Sequence, residues 1–389
     1  VPSGVSLAPG GGLTLTGALA VDGGTVKLDG NYPTGTNNVA LGNTALDSLT
    51  SGNENTAIGT NALTANTSGC YNTAVGQGAL DSNTTACSNT AMGMFSVAGN
   101  TTGASNVGIG RNSLRANTTA ANNTAVGTDS LCANTTGCQN VAVGTSALQS
   151  NTDAFKNVAV GFEAGKDNTT ADNLTAIGFQ AAQNNTTGGG NTSVGSAALN
   201  TNTTGSSNTA MGSGALYANT TASNNTAIGA GALDTNTTGA SNVAVGKNAL
   251  TANTTASDNT AFGADSLSDN TTGTCNVAVG KSALNSNTTA NYNTAIGHNV
   301  LPANTTGCFN TAVGSQSLFA NTQGCMNTVM GNSALYTNTT GDCNTALGSA
   351  ALLSATTADN NTAVGRSSLR SNTTGTENVA VGVNSLCAN

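Results

Sequence analysis

The sequence predicts an all-β fold, a parallel β-solenoid or β-roll of 17-residue coils, from three observations. A unit of 17 residues begins at Asn38 and recurs about 21 times without insertion or deletion, so that glycine returns at every step from Gly42 to Gly382. The recurring glycine and the Asn-Thr-Thr run are poor helix formers. Charged residues are confined to a few positions of the unit. An unbroken period in this range is typical of solenoids, in which each unit packs only against its neighbours.

One unit is residues 225–241, which read Asn-Thr-Ala-Ile-Gly-Ala-Gly-Ala-Leu-Asp-Thr-Asn-Thr-Thr-Gly-Ala-Ser, and we number its positions 1 to 17. Residues that share a position form a column. The first strand is predicted from Thr or Val at position 2 and an apolar residue at position 4, which alternate so that both columns face the core. A second strand is predicted to begin at positions 8 and 9. The glycines at position 5 predict a tight turn after the first strand. Examples are Gly212, Gly229 and Gly246.

Charge identifies the columns that face water. Among the charged residues from Asn38 onward, all but Asp153 lie at positions 6, 7, 10, 11, 16 or 17. Because an unpaired buried charge is very costly, the uncharged columns are expected to be packed or hydrogen-bonded inside the coil.

Asparagine columns at positions 1 and 12 predict ladders of side-chain amides, because stacked coils about 4.8 Å apart bring like residues together. Two alternatives remain for position 12. Its Asn-Thr-Thr run matches the N-glycosylation sequon, although glycans on successive coils would collide. Threonine columns also occur on ice-binding solenoids, but these threonines are adjacent and point opposite ways. The expected ladder residues are Asn202, Asn219, Asn236 and Asn253 at position 12 and Asn225 and Asn242 at position 1.

The period divides the chain into two parts. Residues 1–36 hold short alternating segments separated by Gly-rich turns and predict a β-rich connector or cap, whereas residues 37–389 form the repeat. An open solenoid end exposes unpaired backbone groups, so a cap is expected there. Because the chain begins at Val1 and ends within an unfinished unit, we interpret it as part of a longer protein.

The coils over residues 151–190 keep the period but break its columns. Gly165 and Ala182 replace Leu at position 9, and Leu174 replaces Asn at position 1. Three phenylalanines, Phe155, Phe162 and Phe179, occur in the same stretch. We expect them to fill the volume of the missing Leu side chains. The alternative is a local binding patch.

Nine cysteines fall on outward columns. Cys70 with Cys87, and Cys308 with Cys325, share position 16 in successive units, so their Cα atoms are expected about 4.8 Å apart, within disulfide range. Stacked parallel side chains do not readily reach the disulfide torsion, and free thiols on a protein assembled in a reducing cytoplasm are the favoured interpretation.

Several function classes find no support. A net charge of -8 and a pI near 4.3 argue against nucleic-acid binding, and no apolar run reaches the roughly 20 residues of a membrane span. The single histidine, His298, lies on an outward column. Gly280-Lys281-Ser282 resembles the end of a nucleotide-binding loop, but Cys275 stands where the first glycine belongs. We therefore expect no enzyme, cofactor or metal site.

The unit Asn-Thr-Ala-Val-Gly-x-x-Ala-Leu-x-x-Asn-Thr-Thr-Gly resembles the repeats of tail-fibre proteins of tailed bacteriophages over about 350 residues, and more distantly the head repeats of trimeric autotransporter adhesins. The resemblance implies a left-handed, side-by-side trimer that acts as a fibre shaft in the virion, holds a receptor-binding tip and contributes to host attachment. A host glycan or protein receptor is then a partner. The alternative is a bacterial surface adhesin or extracellular filament.

A thin core favours a homo-oligomer independently of that resemblance. Only positions 2, 4 and 9 carry sizeable apolar groups, so a lone coil buries little surface. Either the apolar column at position 4 or the leucine column at position 9 is expected to line the contact between chains.

Overall fold

The computed structural model describes residues 35–387; nearly all of the predicted connector lies outside this range. The described residues contain 21 strands of three residues each and no helix. In chain order the strands are β1 Val39–Leu41, β2 Thr56–Ile58, β3 Thr73–Val75, β4 Thr90–Met92, β5 Val107–Ile109, β6 Thr124–Val126, β7 Val141–Val143, β8 Val158–Val160, β9 Thr175–Ile177, β10 Thr192–Val194, β11 Thr209–Met211, β12 Thr226–Ile228, β13 Val243–Val245, β14 Thr260–Phe262, β15 Val277–Val279, β16 Thr294–Ile296, β17 Thr311–Val313, β18 Thr328–Met330, β19 Thr345–Leu347, β20 Thr362–Val364 and β21 Val379–Val381.

Each strand pairs in parallel with its neighbours in sequence, and the paired residues share a unit position. In β12, for example, Ala227 lies opposite Ala210 of β11 and Ala244 of β13. The 17-residue period therefore becomes a stack in which like residues lie one above another. The predicted parallel β-solenoid is confirmed.

The predicted facing of the strand is wrong. Position 3, not positions 2 and 4, points inward: Ala227 is fully buried, whereas Ile228 is 38% exposed. The interior is narrow, because the coil has only Leu at position 9 and Ala or Ser at position 8 to meet the strand. A methyl group fits there, so the larger apolar side chains at position 4 lie outside.

The predicted second strand is absent from the described coils. Positions 8 and 9 lie in a turn, and Leu233 has a left-handed backbone with φ 52°. This conformation costs an ordinary residue roughly 1–2 kcal/mol. Complete burial of the Leu233 side chain, together with the bond from its amide to the Ala249 carbonyl at 3.0 Å, holds the turn.

The position-5 glycines end the strands in a conformation that side chains rarely adopt. Gly229 has φ 136°, and a Cβ atom there would lie 2.5 Å from the Gly246 carbonyl oxygen of the next coil. Gly212 and Gly246 share this geometry. Glycine at position 5 therefore permits both the turn and the close stacking.

In the irregular coils the core is filled by Leu174 instead of phenylalanine. Leu174 is fully buried, and a Cβ atom at Gly165 would lie 3.1 Å from its Cδ2 atom. Phe155, Phe162 and Phe179 are 42%, 46% and 52% exposed. The volume-filling interpretation of the three phenylalanines is thus wrong, because a leucine from the asparagine column occupies that space.

Candidate interaction surface

Two ladders of buried asparagines run along the solenoid and fix its register. At position 12, the Asn236 Nδ2 donates to Asn219 Oδ1 at 3.0 Å in the previous coil and to the Gly239 carbonyl at 2.9 Å. Asn253 donates in the same way to Asn236 Oδ1 at 2.8 Å. Asn202 lies in the same ladder and donates to Asn185. A buried amide is satisfied only if these bonds form, so each coil constrains the next.

Position 1 forms the second ladder by a different pattern. Asn225 Oδ1 accepts the backbone N–H of Asn242 at 2.9 Å, and the Asn242 side chain donates to the Ala256 carbonyl at 2.9 Å. Both asparagines are almost completely buried. Their side chains thus satisfy backbone groups that the short strands leave unpaired.

Burial also bears on the two alternative interpretations of the Asn-Thr-Thr run. The Asn236 side chain is fully buried and both of its N–H groups are donated, so it is not presented to solvent as a glycan acceptor. The hydroxyl of Thr237 at position 13 donates to the Thr254 carbonyl at 3.0 Å. This threonine therefore serves the contact between coils.

The ladder is interrupted at one unit. Ala355 replaces Asn at position 12, and the buried Oδ1 atom of Asn338 in the preceding coil has no hydrogen-bond donor. In the other direction Asn338 still donates to Asn321 at 2.8 Å. An unpaired buried acceptor of this kind costs about 1–3 kcal/mol.

The surface that distinguishes this solenoid is the outward side of its sheet, which we call the outer sheet face and define as positions 2 and 4 of β1–β21. All 21 residues at position 4 are Val, Ile, Leu, Met or Phe, and none of them is buried. Met211 is 42% exposed and Phe262 56%. An uninterrupted column of exposed apolar side chains of this length is not expected on an ordinary monomer, whose apolar patches cover a few hundred Å².

The outer sheet face is also uncharged. Lys247 at position 6 and Asp258 at position 17 lie beyond its two edges. Between them, positions 1 to 5 carry no charged residue in any unit from Asn38 onward. Depletion of charge around exposed apolar side chains is typical of the core of a protein interface.

The three phenylalanines of the irregular coils lie outside the core on two sides of the coil. Phe162 and Phe179 at position 6 stack with their ring centroids 5.6 Å apart, just beyond the outer sheet face. Phe155 at position 16 lies under the ammonium group of Lys156, 5.4 Å from the ring centroid. The structure therefore brings two of the three together and leaves Phe155 apart.

Further aromatic pairs stack at other outward positions. Tyr292 and Phe309 at position 17 have centroids 5.0 Å apart, and Phe319 and Tyr336 at position 10 have centroids 4.9 Å apart. The period places such side chains in register whenever successive units carry them.

All nine cysteines are free thiols. The Cys87 sulfur accepts the backbone N–H of Cys70 at 3.1 Å, and the Cys325 sulfur accepts that of Cys308 at 3.1 Å. Each sulfur thus points toward the backbone of the preceding coil. Partial burial raises the pKa of the Cys325 thiol, which disfavours its reactive thiolate.

The polar residues singled out in the sequence lie on the surface. His298 and Lys281 are exposed. The amides of Gly280 and Ser282 donate to Phe262 and Ala264 carbonyls of the previous coil at 2.7 and 3.0 Å, and so do not form a phosphate cradle. Residues 35–387 contain no cluster of three metal-ligating side chains and no helix suited to cross a membrane.

Two groups of carboxylates have shifted pKa values. Hydrogen bonds from Gln180 and Lys166 hold the pKa of Glu163 below its ordinary value. Partial burial raises the pKa of Asp81 and of Asp234, both at position 10. The three carboxylates lie in coils far apart along the solenoid, so they do not share a site, and Glu163 forms a local ion pair with Lys166 at 3.0 Å.

Sequence reasoning missed the exposed side of the strand and the role of Leu174. A signal for the first was present: position 3 is Ala in almost every unit, as a sterically limited interior requires. No protein-family model matches the chain, and a search of the curated proteins finds no match.

Proposed function

We propose that this chain is the structural shaft of a fibre, of the kind found in phage tail fibres and similar virion appendages, and that it holds a receptor-binding tip away from the particle. The observation that carries the proposal is the unbroken parallel ladder from β1 to β21, in which every coil repeats the same cross-section. Such a stack extends in one direction only. Its buried asparagine ladders supply stiffness, since bending the rod separates stacked amides.

The shaft is proposed to be a homotrimer. The core of each coil consists of little more than Leu and Ala, as in Leu233, Ala232 and Ala227, while larger apolar residues remain exposed. A chain with this little buried surface gains stability from association. The number three comes from the resemblance to trimeric fibres and adhesin heads.

Light scattering and electron microscopy on residues 1–389 test the shaft. We expect about three times the chain mass and a straight rod roughly 100 Å long, from 21 coils at about 4.8 Å. A monomer, or a compact particle, would contradict the proposal. Immunogold labelling with an antibody to the repeat then locates the rod: label on virion fibres supports the proposal, and label confined to the bacterial surface supports the adhesin alternative.

A further inference from the structure

We infer that the outer sheet face is the contact between copies of this chain, and that the copies lie parallel and at equal height around an axis along the rod. The inference rests on the proposed fibre shaft and names its partner and its contact surface. It excludes the leucine column, since Leu233 and Leu250 are fully buried within their own coils.

The shape of the face selects a second copy as its occupant. The apolar column runs without interruption through all 21 strands, whereas a globular partner would cover only a few coils. A second copy repeats with the same spacing and covers the whole column.

The two edges of the face determine how copies can be arranged. Position 17 precedes each strand and position 6 follows it, so they lie at opposite edges of the sheet. If the symmetry axis runs along the rod, the position-17 edge of one copy meets the position-6 edge of its neighbour at the same height. In an antiparallel pair, the position-6 edge of one copy meets the position-6 edge of the other. Coils near the start of one chain then lie beside coils near the end of the other.

Charge at these edges favours the parallel arrangement. Lys247 follows β13 at position 6 and Asp258 precedes β14 at position 17, one coil away. Arg366 after β20 and Glu377 before β21 have the same relation. All four side chains are exposed, and within residues 35–387 no ion pair joins any of them to another group. In a parallel assembly each cation lies one coil spacing, about 4.8 Å, from the level of a carboxylate on the neighbouring copy, within reach of its long side chain.

The remaining cations at position 6 are consistent with this arrangement. Arg111 already pairs with Asp129 of its own chain at 3.5 Å. Lys281 shares its unit with Tyr292 at position 17, which is 54% exposed. In a parallel assembly this ring lies one coil away from the level of Lys281 on the neighbouring copy, within reach of the long lysine side chain, and an aromatic face attracts a cation.

Carbodiimide cross-linking tests the arrangement without altering the protein. This reagent joins a lysine to a carboxylate that it touches. Assemblies made from mixed unlabelled and ¹⁵N-labelled chains identify links between chains by mass spectrometry. We expect a mixed-isotope link between Lys247 and Asp258, and no link from the control Lys281 to position 17, where Tyr292 offers no carboxylate. Links between chains that join distant heights would overturn the parallel arrangement.

A matched pair of variants tests the face itself. Val245→Asp places a carboxylate on the outer sheet face, whereas Thr255→Asp places one at exposed position 14, where Asp153 occurs naturally in another unit. We expect Val245→Asp to raise the concentration for half-assembly by at least about tenfold, because burying an unpaired charge is costly. Thr255→Asp should leave it unchanged.

The outcomes separate this inference from the proposed shaft. A wild-type chain that stays monomeric overturns both. A wild-type chain that assembles, with Val245→Asp assembling equally well, overturns only the outer sheet face as the contact. Hydrogen exchange of β12–β14 in each variant shows whether the coil stays folded, and the cross-links in the wild-type protein remain decisive if it does not.

Discussion

Regular and irregular coils build the same cross-section from different residues. Two regular coils begin at Asn225 and Asn242, and two irregular coils begin at Asn157 and Leu174. The regular coils have Asn at position 1 and Leu at position 9. In the irregular coils Gly165 and Ala182 occupy position 9, yet β8, β9 and β10 pair in the same register as β12 and β13. The comparison shows that the filled volume of the interior, and not the residue at any one position, is maintained.

The two regions also show which column tolerates change. The position-1 ladder is broken at Leu174, whereas Asn168 and Asn185 continue the position-12 ladder through the irregular coils with bonds of 3.0 and 2.9 Å. Position 1 has a substitute available, since the backbone N–H of Leu174 still donates to Asn157 Oδ1 at 2.8 Å. Position 12 therefore carries the register where other columns vary.

Replacing Leu174 by Asn, the residue at position 1 of the other units, should destabilise the irregular coils. Leu174→Asn empties the space beside Gly165 and is expected to lower local stability by about 2–5 kcal/mol, the usual cost of removing a large buried side chain. Hydrogen exchange in β8–β10 measures the effect locally, which suits a repeat array whose unfolding is not two-state.

A double variant, Leu174→Asn with Gly165→Leu, tests whether Leu174 replaces the missing leucine of position 9. Gly165→Leu alone should destabilise, because a Cβ atom at this position would lie 3.1 Å from the Cδ2 atoms of both Leu148 and Leu174, and the rest of the new side chain would compete with Leu174 for space. Combined with Leu174→Asn it recreates the regular coil, and most of the lost protection should return. Additive losses in the double variant would contradict the idea that Leu174 occupies the space of the missing leucine.

In the regular coils the position-12 ladder should be the sensitive element. Asn236→Leu removes the two hydrogen bonds that Asn236 donates and the one it accepts from Asn253, which keeps only its bond to the Ala256 carbonyl, so we expect a loss of about 2–4 kcal/mol. Asp234→Leu, two residues earlier on the outward column, is the control. Burial already disfavours the charge of Asp234, so this change should cost little. Equal small losses from both variants would argue against the ladder.

The sequence allows prediction of the period, the parallel register and the asparagine columns, because each depends on hydrogen bonds that recur in nearly every coil and keep the same residue at the same position. The facing of the strand is harder to predict, since both sides carry small or apolar residues and neither carries charge; the recurring Ala at position 3 is the signal that identifies the inward side. The sequence does not reveal that Leu174 fills the space beside Gly165, because the two residues belong to different columns and different units.

Repairing the gap in the ladder should stabilise the solenoid. Ala355→Asn offers a donor to the unpaired Asn338 Oδ1 and an acceptor to Asn372 in the next coil. We expect a gain of about 1 kcal/mol, the typical worth of a net hydrogen bond. Increased exchange protection around β18–β20 checks this. Ala358→Asn, at a buried site three residues away in the same coil, should destabilise instead.

The exposed phenylalanines should contribute the least to stability, in spite of their setting in the irregular coils. Replacing Phe155, Phe162 and Phe179 together by Ala removes side chains that are about half exposed, so the Tm should change little, as for most surface substitutions within about 0.5 kcal/mol. The Tm of this triple variant reports a packing role of the phenylalanines, and its attachment to cells reports a role in recognition. If the stacked pair Phe162 and Phe179 contacts a host receptor, the triple variant loses attachment to cells while its Tm and assembly stay unchanged. Phe319→Ala with Tyr336→Ala, a stacked pair at position 10, is the matched control. A clear fall in Tm of the triple variant would return these residues to a packing role and contradict their exposed placement.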